Sequence, residues 1–366
     1  MDLHTFPVGQ RNSTRMSRRT LVRSLFAASA AGSIAAVLSG CTAFTPEELA
    51  LDEPLASENL GQSESANAQI AFVKTADRIV GVQRAMALLD PTDWNGKQVL
   101  VKPNFNSADP APGSTHPDVL QTVVASLHDG GAAGVTVVDR SGMGNTQSVF
   151  ERLGVDEMVE AIGGQLRALD DLADEEWEMV DVPNSHWQQG FPFPRLVGNA
   201  DVVVQLCCLK THRYGGHFTL SLKNSVGLVA KYRPGDNYNY MNELHTSPHQ
   251  RTMIAEINAA YTPDLVILDG VEAFVRGGPA RGDRVAANVM LAGSDRVALD
   301  AVGVALLRHF GTTSEVSHGP IFEQEQIARA VELGLGVAGP DQIELVTDDP
   351  ESQAFATEIN AILHDG

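Results

Sequence analysis

Short runs of apolar residues alternate with amphipathic stretches along the chain from about residue 69 to its end. The apolar runs lie at 98–101, 135–138, 201–206, 265–268 and 288–293, and a last strand and helix pair is predicted over about 342–364. Each run is nearly continuous in Val, Leu and Ile, which is typical of strands that are buried on both faces. The intervening stretches have helical spacing, at 117–128, 146–162, 221–230, 249–260 and 295–309.

This alternation predicts an α/β fold, with a mostly parallel sheet and helices on both of its faces. The segment 170–200 interrupts the pattern, because it is rich in Pro, Trp and acidic residues. We interpret it as an insertion or as the join between two lobes.

The first 40 residues have the features of a targeting signal rather than of a folded segment. Arg18 and Arg19 form a twin-arginine pair, an Ala-rich apolar stretch covers 25–38, and Leu-Ser-Gly-Cys at 38–41 resembles a lipobox. The apolar stretch is short for a membrane-spanning helix. We therefore expect twin-arginine export, cleavage before Cys41, and a lipid on Cys41 that anchors the chain to a membrane, facing the periplasm or the cell exterior. An uncleaved anchor or a chance Ala-rich helix is the alternative.

Composition bears on which partners the chain can bind. The chain has a net charge of −20, with 43% hydrophobic and 20% charged residues, so it is apolar enough to fold. Its acidic balance argues against a nucleic-acid partner, because phosphate backbones are bound by basic stripes.

Residues 42–68 are polar and lack periodicity. We therefore predict a signal over 1–40, a flexible tether over 41–68 and an α/β domain over 69–366.

Polar residues follow the predicted strands at the point where each strand ends. In open α/β sheets, this carboxyl edge is where ligands bind. The alternative is that such residues only cap the next helix, which explains Asp295 well but Lys102 poorly, because Lys is a poor helix N-cap. We therefore predict ligand binding by Lys102, Asn104, Ser141, Asn224 and Asp295.

The segment 209–228 holds the densest candidate chemistry, with two of the six lysines of the chain. Lysines at a strand end can bind a phosphate or a carboxylate, and a desolvated lysine can act as a base. Asn224 can orient a carbonyl or carboxylate group. The predicted catalytic residues are Lys210, His212, Lys223 and Asp269.

The histidines of this segment also suggest a divalent metal. Its candidate ligands are His212, His217, Asp269 and Asp300. Because the spacing of His212 and His217 matches no specific metal motif, ordinary hydrogen-bonded histidines remain the alternative. Three cysteines, with no Cys-x-x-Cys motif, are too few for a zinc ribbon, and the sequence does not favour an iron–sulfur cluster.

Seven motifs, in order over about residues 70–310, resemble domain-of-unknown-function family 362. They are VLVKPNFN (99–106), STHPDVL (114–120), LKTH (209–212), LSLKNSVGL (220–228), PDLVILDGV (263–271), GGPARG (277–282) and AGSDRVALDAV (292–302). The resemblance implies no agreed reaction. Some family members carry ferredoxin-type cysteine clusters, which this chain lacks. The resemblance places these residues on family motifs: Lys102, Asn104, Lys210, His212, Lys223, Asn224, Asp269, Asp295 and Asp300.

Two classes of function fit these observations, and the sequence leaves open whether the chain is catalytic. The first is an exported lipoprotein that is an enzyme or enzyme-like and binds a small anionic molecule at the carboxyl edge, with or without a divalent metal. The second is a non-catalytic solute- or metal-binding lipoprotein. A racemase or isomerase of small hydroxy acids with a metal-dependent cofactor is a third, weaker hypothesis. A purely structural scaffold would leave the clustered polar residues unexplained.

Overall fold

The apolar runs of the sequence form strands of one large mixed sheet in a computed structural model that describes residues 67–89, 93–142 and 144–365. The predicted signal, the lipidation residue Cys41 and all but the last two residues of the tether lie outside these residues. The strands are β1 Ala68–Lys74, β2 Gln98–Lys102, β3 Gly134–Asp139, β4 Gln165–Ala168, β5 Trp177–Val180, β6 Phe191–Pro194, β7 Val202–His212, β8 His217–Thr219, β9 Leu265–Gly277, β10 Gly282–Gly293 and β11 Ile343–Val346.

Helices connect most of these strands. The α-helices are α1 Arg78–Ala87, α2 Pro117–Asp129, α3 Thr146–Leu153, α4 Val155–Ala161, α5 Arg195–Asn199, α6 Ser221–Asn224, α7 Tyr240–Thr246, α8 Gln250–Ile257, α9 Arg296–His309, α10 Ser314–Ser317, α11 Glu325–Glu332 and α12 Pro350–Asp365. Among the described residues, none of these helices combines the length and the apolar character that crossing a bilayer requires.

The predicted α/β class is confirmed, with a mostly parallel sheet. Within the described residues, the strand order is β11-β1-β10-β9-β7-β2-β3-β4, and β8 pairs with the end of β7. From β9 to β4 all neighbouring strands are parallel. In contrast, β10 runs antiparallel to both of its neighbours, β9 and β1.

Side chains of the sheet pack into a separate apolar cluster on each face. Ile70 and Phe72 of β1 belong to one cluster, whereas the alternating residues Ala71 and Val73 belong to the other. The first cluster includes most of α9, and the second includes the buried face of α2. Both faces are thus covered, which explains why the strands read as nearly continuous apolar runs.

The segment 170–200 is not a join between two lobes, which leaves the insertion as its interpretation. Its strands β5 and β6 form a small antiparallel sheet, and its aromatic side chains pack in a third buried cluster that includes Trp177, Trp187 and Phe191. Residues Gln62–Gly366 form one unit, so the described part of the chain contains no second lobe.

The strands β7 and β9 continue well past the apolar runs that predicted them, and this changes where polar residues lie. β7 continues through Lys210 and His212, which the sequence placed in a loop after the strand. Backbone partners from β8 and β9 support this extension beyond the level at which β2 ends. β9 likewise continues eight residues past Asp269, so this carboxylate lies within a strand and not at its end.

The direction of β10 corrects the expectation for Asp295. Because β10 is antiparallel to β9, its carboxyl end lies at the opposite edge of the sheet from the ends of β2, β3 and β7. Asp295 instead accepts hydrogen bonds from the backbone N–H groups of Ala298 and Val337, and thereby caps α9.

A buried carboxylate holds the short helix α6 against the long helix α9. Asp300 Oδ1 accepts a hydrogen bond from Ser221 N at 2.7 Å, and Oδ2 accepts one from Leu222 N at 3.1 Å. These two residues begin the turn that carries Lys223. Burial raises the pKa of Asp300 to about 7, although the two backbone donors oppose this shift.

We expect Asp300→Ala to lower the free energy of unfolding by about 2–4 kcal/mol, because it leaves two buried backbone donors without partners. Asp300→Asn should cost less, since it keeps one acceptor. Urea unfolding of the full chain at neutral pH measures both effects. Asp283→Ala, at an exposed position on β10, is the control. An equal stability of the Asp300→Ala and Asp283→Ala variants would contradict the assigned role.

Candidate functional site

A cavity of about 60 Å³ opens at the carboxyl ends of β2, β3 and β7. A single water needs roughly 10–15 Å³ of such space, so the cavity has room for a group the size of a carboxylate or a phosphate. Its polar and charged lining consists of Lys102, Asn104, Asn106, Asp139, Arg140, Lys210, His212, Thr219, Lys223, Asn224 and His245. We call this site the cation pocket.

The topology explains why these residues meet. β2, β3 and β7 are parallel, so their carboxyl ends share one edge of the sheet. β7 projects past the other two, turns back through β8, and leads directly into α6. This return brings Lys223 and Asn224 over the ends of the neighbouring strands, and α7 contributes His245.

The ammonium group of Lys102 is fully occupied by acceptors of the protein. It lies 2.7 Å from Asp139 Oδ1, and it donates to the Pro103 carbonyl at 2.6 Å and to Asn224 Oδ1 at 3.1 Å. Because an ammonium has three N–H donors, Lys102 is held in place and has none left for a ligand. Burial lowers the pKa of Lys102 and raises that of Asp139, and the opposite charge of each partner offsets part of the shift.

Two asparagines connect Lys102 to Lys210. Asn224 Oδ1 accepts from Asn104 Nδ2 at 3.0 Å as well as from Lys102, and Asn104 Oδ1 accepts from Lys210 Nζ at 2.7 Å. Lys210 also donates to the Gly113 carbonyl at 2.5 Å. Two of its three donors are therefore used, and one remains for a ligand.

Lys223 differs from the other two lysines of the pocket. Among the described residues, no hydrogen bond or ion pair involves its ammonium group, although only 6% of the residue is exposed. Burial, followed by the nearby charges of Lys210 and Arg140, lowers the pKa of Lys223 to about 7. The amine is therefore partly neutral at neutral pH, with three hydrogen-bonding positions that the described residues leave open.

Three further polar atoms of the cation pocket are buried without a partner among the described residues: His212 Nδ1, Thr219 Oγ1 and Arg140 Nε. Such orphaned atoms cost free energy in a folded protein, roughly 1–3 kcal/mol each. Burial and the charges of Lys223 and Lys210 lower the pKa of His212 well below its usual value, so its ring is neutral at neutral pH. Unsatisfied groups that surround one cavity are typical of a site that a bound molecule completes.

The charge of the pocket contrasts with that of the chain. Lys102, Arg140, Lys210 and Lys223 line it, and Asp139 is the one carboxylate in that lining. Half of the six lysines of a chain with a net charge of −20 therefore gather at one site. Buried positive charge in such excess favours an anionic ligand.

The structure brings together six of the residues that the sequence singled out: Lys102, Asn104, Lys210, His212, Lys223 and Asn224. Ser141 lies close by but has a structural role, because its hydroxyl donates to the Phe105 carbonyl and the residue is completely buried. It is not part of the lining of the pocket.

Asp269 does not reach the cation pocket. Its carboxylate forms an ion pair with Arg78 at 2.8 Å and accepts a hydrogen bond from Val271 N. Burial raises the pKa of Asp269 against the opposing effect of Arg78. The extension of β9 places Asp269 within a strand and outside the lining of the pocket, and its catalytic role stays a prediction.

The four predicted metal ligands are not brought together either. The carboxylate of Asp300 is used by backbone donors of α6, and Asp269 is paired with Arg78. Burial and the charge of Arg251 lower the pKa of the half-buried His217, which is not among the lining residues. Within the described ranges, no group of three or more His, Cys, Asp or Glu side chains is arranged to hold a metal ion.

The predicted site residues did not include Asp139, Arg140, Thr219, His245 and Asn106. The first two directly follow the apolar run of β3, so the rule that selected Lys102 could also have selected them. Thr219 lies in the short strand β8, which the sequence did not predict. His245 comes from α7, and no local pattern connects that helix to the edge of the sheet.

The model of the family described as a domain of unknown function, DUF362, matches residues 99–305, which is more than half of the chain. The chain is also 28% identical over 229 residues to a Synechocystis sp. protein described as thylakoid-associated protein sll1697. This match covers 58% of the chain and 64% of the relative, so it spans less than two thirds of the relative's length.

We expect Lys223→Met to change the pH dependence of stability. Because the pKa of Lys223 is about 7 in the folded chain and its ordinary value is 10.5, the unfolded chain binds more protons between these values. The lysine therefore destabilises the fold increasingly as the pH falls from 10.5 to 7. The stability advantage of the variant should shrink by roughly 3 kcal/mol between about pH 7 and about pH 9.5.

Urea unfolding of the full chain across this pH range measures the effect. Lys97→Met is the matched control, since Lys97 lies outside the pocket. A stability difference between Lys223→Met and wild type that does not change with pH would show that the pKa of this amine is not lowered in the folded chain.

Proposed function

This chain belongs to the DUF362 family, and on that premise we propose that it is an enzyme that binds a small carboxylate- or phosphate-bearing molecule in the cation pocket. Lys210, Lys223 and Arg140 hold the anionic group, and His212 and Lys223 exchange protons with the bound molecule. The observation that carries the proposal is the buried amine of Lys223, which has no partner among the described residues and faces two other cations.

Binding of an anion relieves the unfavourable features of the cation pocket. An oxyanion supplies acceptors for the open positions of Lys223 and Lys210, and it offsets the repulsion among the cations. Thr219 Oγ1 and Arg140 Nε, which are buried without partners among the described residues, are further donors at the same site. Charge-assisted hydrogen bonds in a desolvated pocket are stronger than those in water.

A catalytic role is favoured over binding alone by the depressed pKa of Lys223. A site that only binds an anion is served best by an ammonium that stays charged at neutral pH. A lysine with a pKa of about 7 gives up part of that charge, yet it can accept and return protons at working pH. The neutral imidazole of His212 is a second proton acceptor beside it. A non-catalytic solute-binding protein is the competing function, and the absence of turnover would favour it.

The location of the protein is the second part of the proposal. The twin-arginine pair, the apolar stretch and the lipobox ending at Cys41 support export and a lipid anchor. The relative described as thylakoid-associated is consistent with work at a membrane surface. The anchored domain then meets its substrate outside the cytoplasm.

Anion binding tests the first part. We expect inorganic phosphate or acetate to bind the full chain and to raise its unfolding temperature. Binding should be accompanied by proton uptake above pH 7, because an anion favours the charged form of Lys223. Calorimetry in two buffers of different ionisation enthalpy measures both the affinity and the uptake. Lys223→Met should weaken binding about tenfold or more, as expected for a lost charge-assisted contact.

Lys97→Met is again the control and should bind as wild type does. Lys210→Met tests a second cation of the pocket and should also weaken binding. Wild-type affinity in both pocket variants, or no binding of either anion to the unaltered chain, would contradict the proposed site.

The lipid anchor is tested by Cys41→Ser in a bacterial host with twin-arginine export. We expect the unaltered chain in the membrane fraction and the variant in the soluble exported fraction, because a serine cannot carry the thioether-linked lipid. Thr42→Ser, one residue further along, should remain with the membrane. Membrane association of the Cys41→Ser chain that equals that of wild type would rule out anchoring at this residue.

A further inference from the structure

We propose that Lys223 is a site of covalent attachment, where its amine condenses with the carbonyl carbon of a small oxo acid to form an imine. This inference rests on the proposed function, because the other cations of the pocket have to hold the carboxylate of the oxo acid. It adds the class of substrate and the atom that reacts.

The first argument is the contrast among the three lysines of the pocket. The ammonium of Lys102 contacts three acceptors and that of Lys210 contacts two, so both nitrogens are held as hydrogen-bond donors. No described residue holds the nitrogen of Lys223. A lysine that is desolvated and lies near other cations has an available lone pair, which is what nucleophilic attack on a carbonyl requires. Its pKa of about 7 agrees with this role.

The second argument is the position of His212. A β-carbon added to Gly216 would lie 2.5 Å from Lys223 Cε and 3.0 Å from His212 Nδ1. The carbon that bears the amine and the orphaned ring nitrogen therefore both lie against the same small space beside Gly216. Only a residue without a side chain allows this approach. His212 is thus placed to move protons for a reaction at the nitrogen of Lys223.

The condensation needs no reagent beyond the oxo acid. The lone pair of the neutral amine forms the C–N bond, and the π electrons of the carbonyl move to its oxygen. His212 accepts one proton from the nitrogen and passes it to this oxygen, which becomes a hydroxyl group. His212 then passes the second nitrogen proton to the hydroxyl group as the C–O bond breaks, so that water leaves and the C=N bond forms. One amine and one carbonyl give one imine and one water.

The pocket suits the rest of an oxo acid as well. Lys210 retains one N–H, and Arg140 Nε lacks a partner among the described residues, so both are donors for a carboxylate. The cavity volume of about 60 Å³ limits the molecule to a few non-hydrogen atoms near the amine. Once formed and protonated, the imine withdraws electrons from the adjacent carbon, which favours loss of a proton or of carbon dioxide there.

Reductive trapping tests the inference. The full chain is incubated at neutral pH with glyoxylate, pyruvate or acetoacetate in the presence of cyanoborohydride, and the labelled peptides are identified by mass spectrometry. We expect one carboxyalkyl group on Lys223, formed much faster than on Lys97, which lies outside the cation pocket. Inorganic phosphate should slow labelling of Lys223 by competing for the same cations.

Lys223→Arg tests the reacting atom, because arginine cannot form the imine. The variant should lose the label, whereas Lys97→Met should keep it. If phosphate binds the unaltered chain and no oxo acid labels Lys223 above Lys97, the imine is ruled out and the anion site stands. If phosphate does not bind, the proposed function fails as well. Since the comparison of Lys223 with Lys97 is made on the unaltered chain, it does not depend on how any variant folds.

Discussion

The cation pocket holds more buried positive charge than Asp139, the one carboxylate of its lining, can balance. Asp139 contacts Lys102, while Lys210 is held by neutral acceptors and Lys223 by none among the described residues. Burying charges without opposite partners is costly, and proteins reduce that cost by neutralising a group or by binding a counterion. Both outcomes apply here: the depressed pKa of Lys223 is the first, and the proposed anion is the second.

The architecture maintains this arrangement through a few specific contacts. The extension of β7 beyond β2 carries Lys210 and His212 to the pocket, and Asp300 fixes the turn that returns Lys223 to it. A hydrogen-bonded chain through Asn104 and Asn224 links the ammonium groups of Lys102 and Lys210. These contacts hold cationic side chains that repel one another in one geometry, at a cost in stability, which is common at functional sites.

The sequence predicted the parts of this arrangement that depend on local pattern. Continuous apolar runs indicated buried parallel strands, and the lysines after them indicated a site at the carboxyl edge. Asp295 and Asp269 were placed wrongly for a physical reason: the direction of β10 and the length of β9 are set by pairing with strands that are distant in the chain. His245 was missed because it reaches the pocket only through the packing of α7, which has no local signature. The apolar pattern thus identifies elements, whereas long-range pairing decides which of their ends meet.

Selective labelling of lysine with carbon-13 at Cε tests the central claim directly, since the full chain has six lysines and gives a simple spectrum. NMR titration follows each resonance with pH, and comparison with Lys223→Arg assigns the signal of Lys223. We expect this signal to titrate near pH 7 and its midpoint to rise when inorganic phosphate is added, as an anion in the cation pocket requires. A midpoint near the ordinary lysine value, or one that phosphate does not move, would contradict the account.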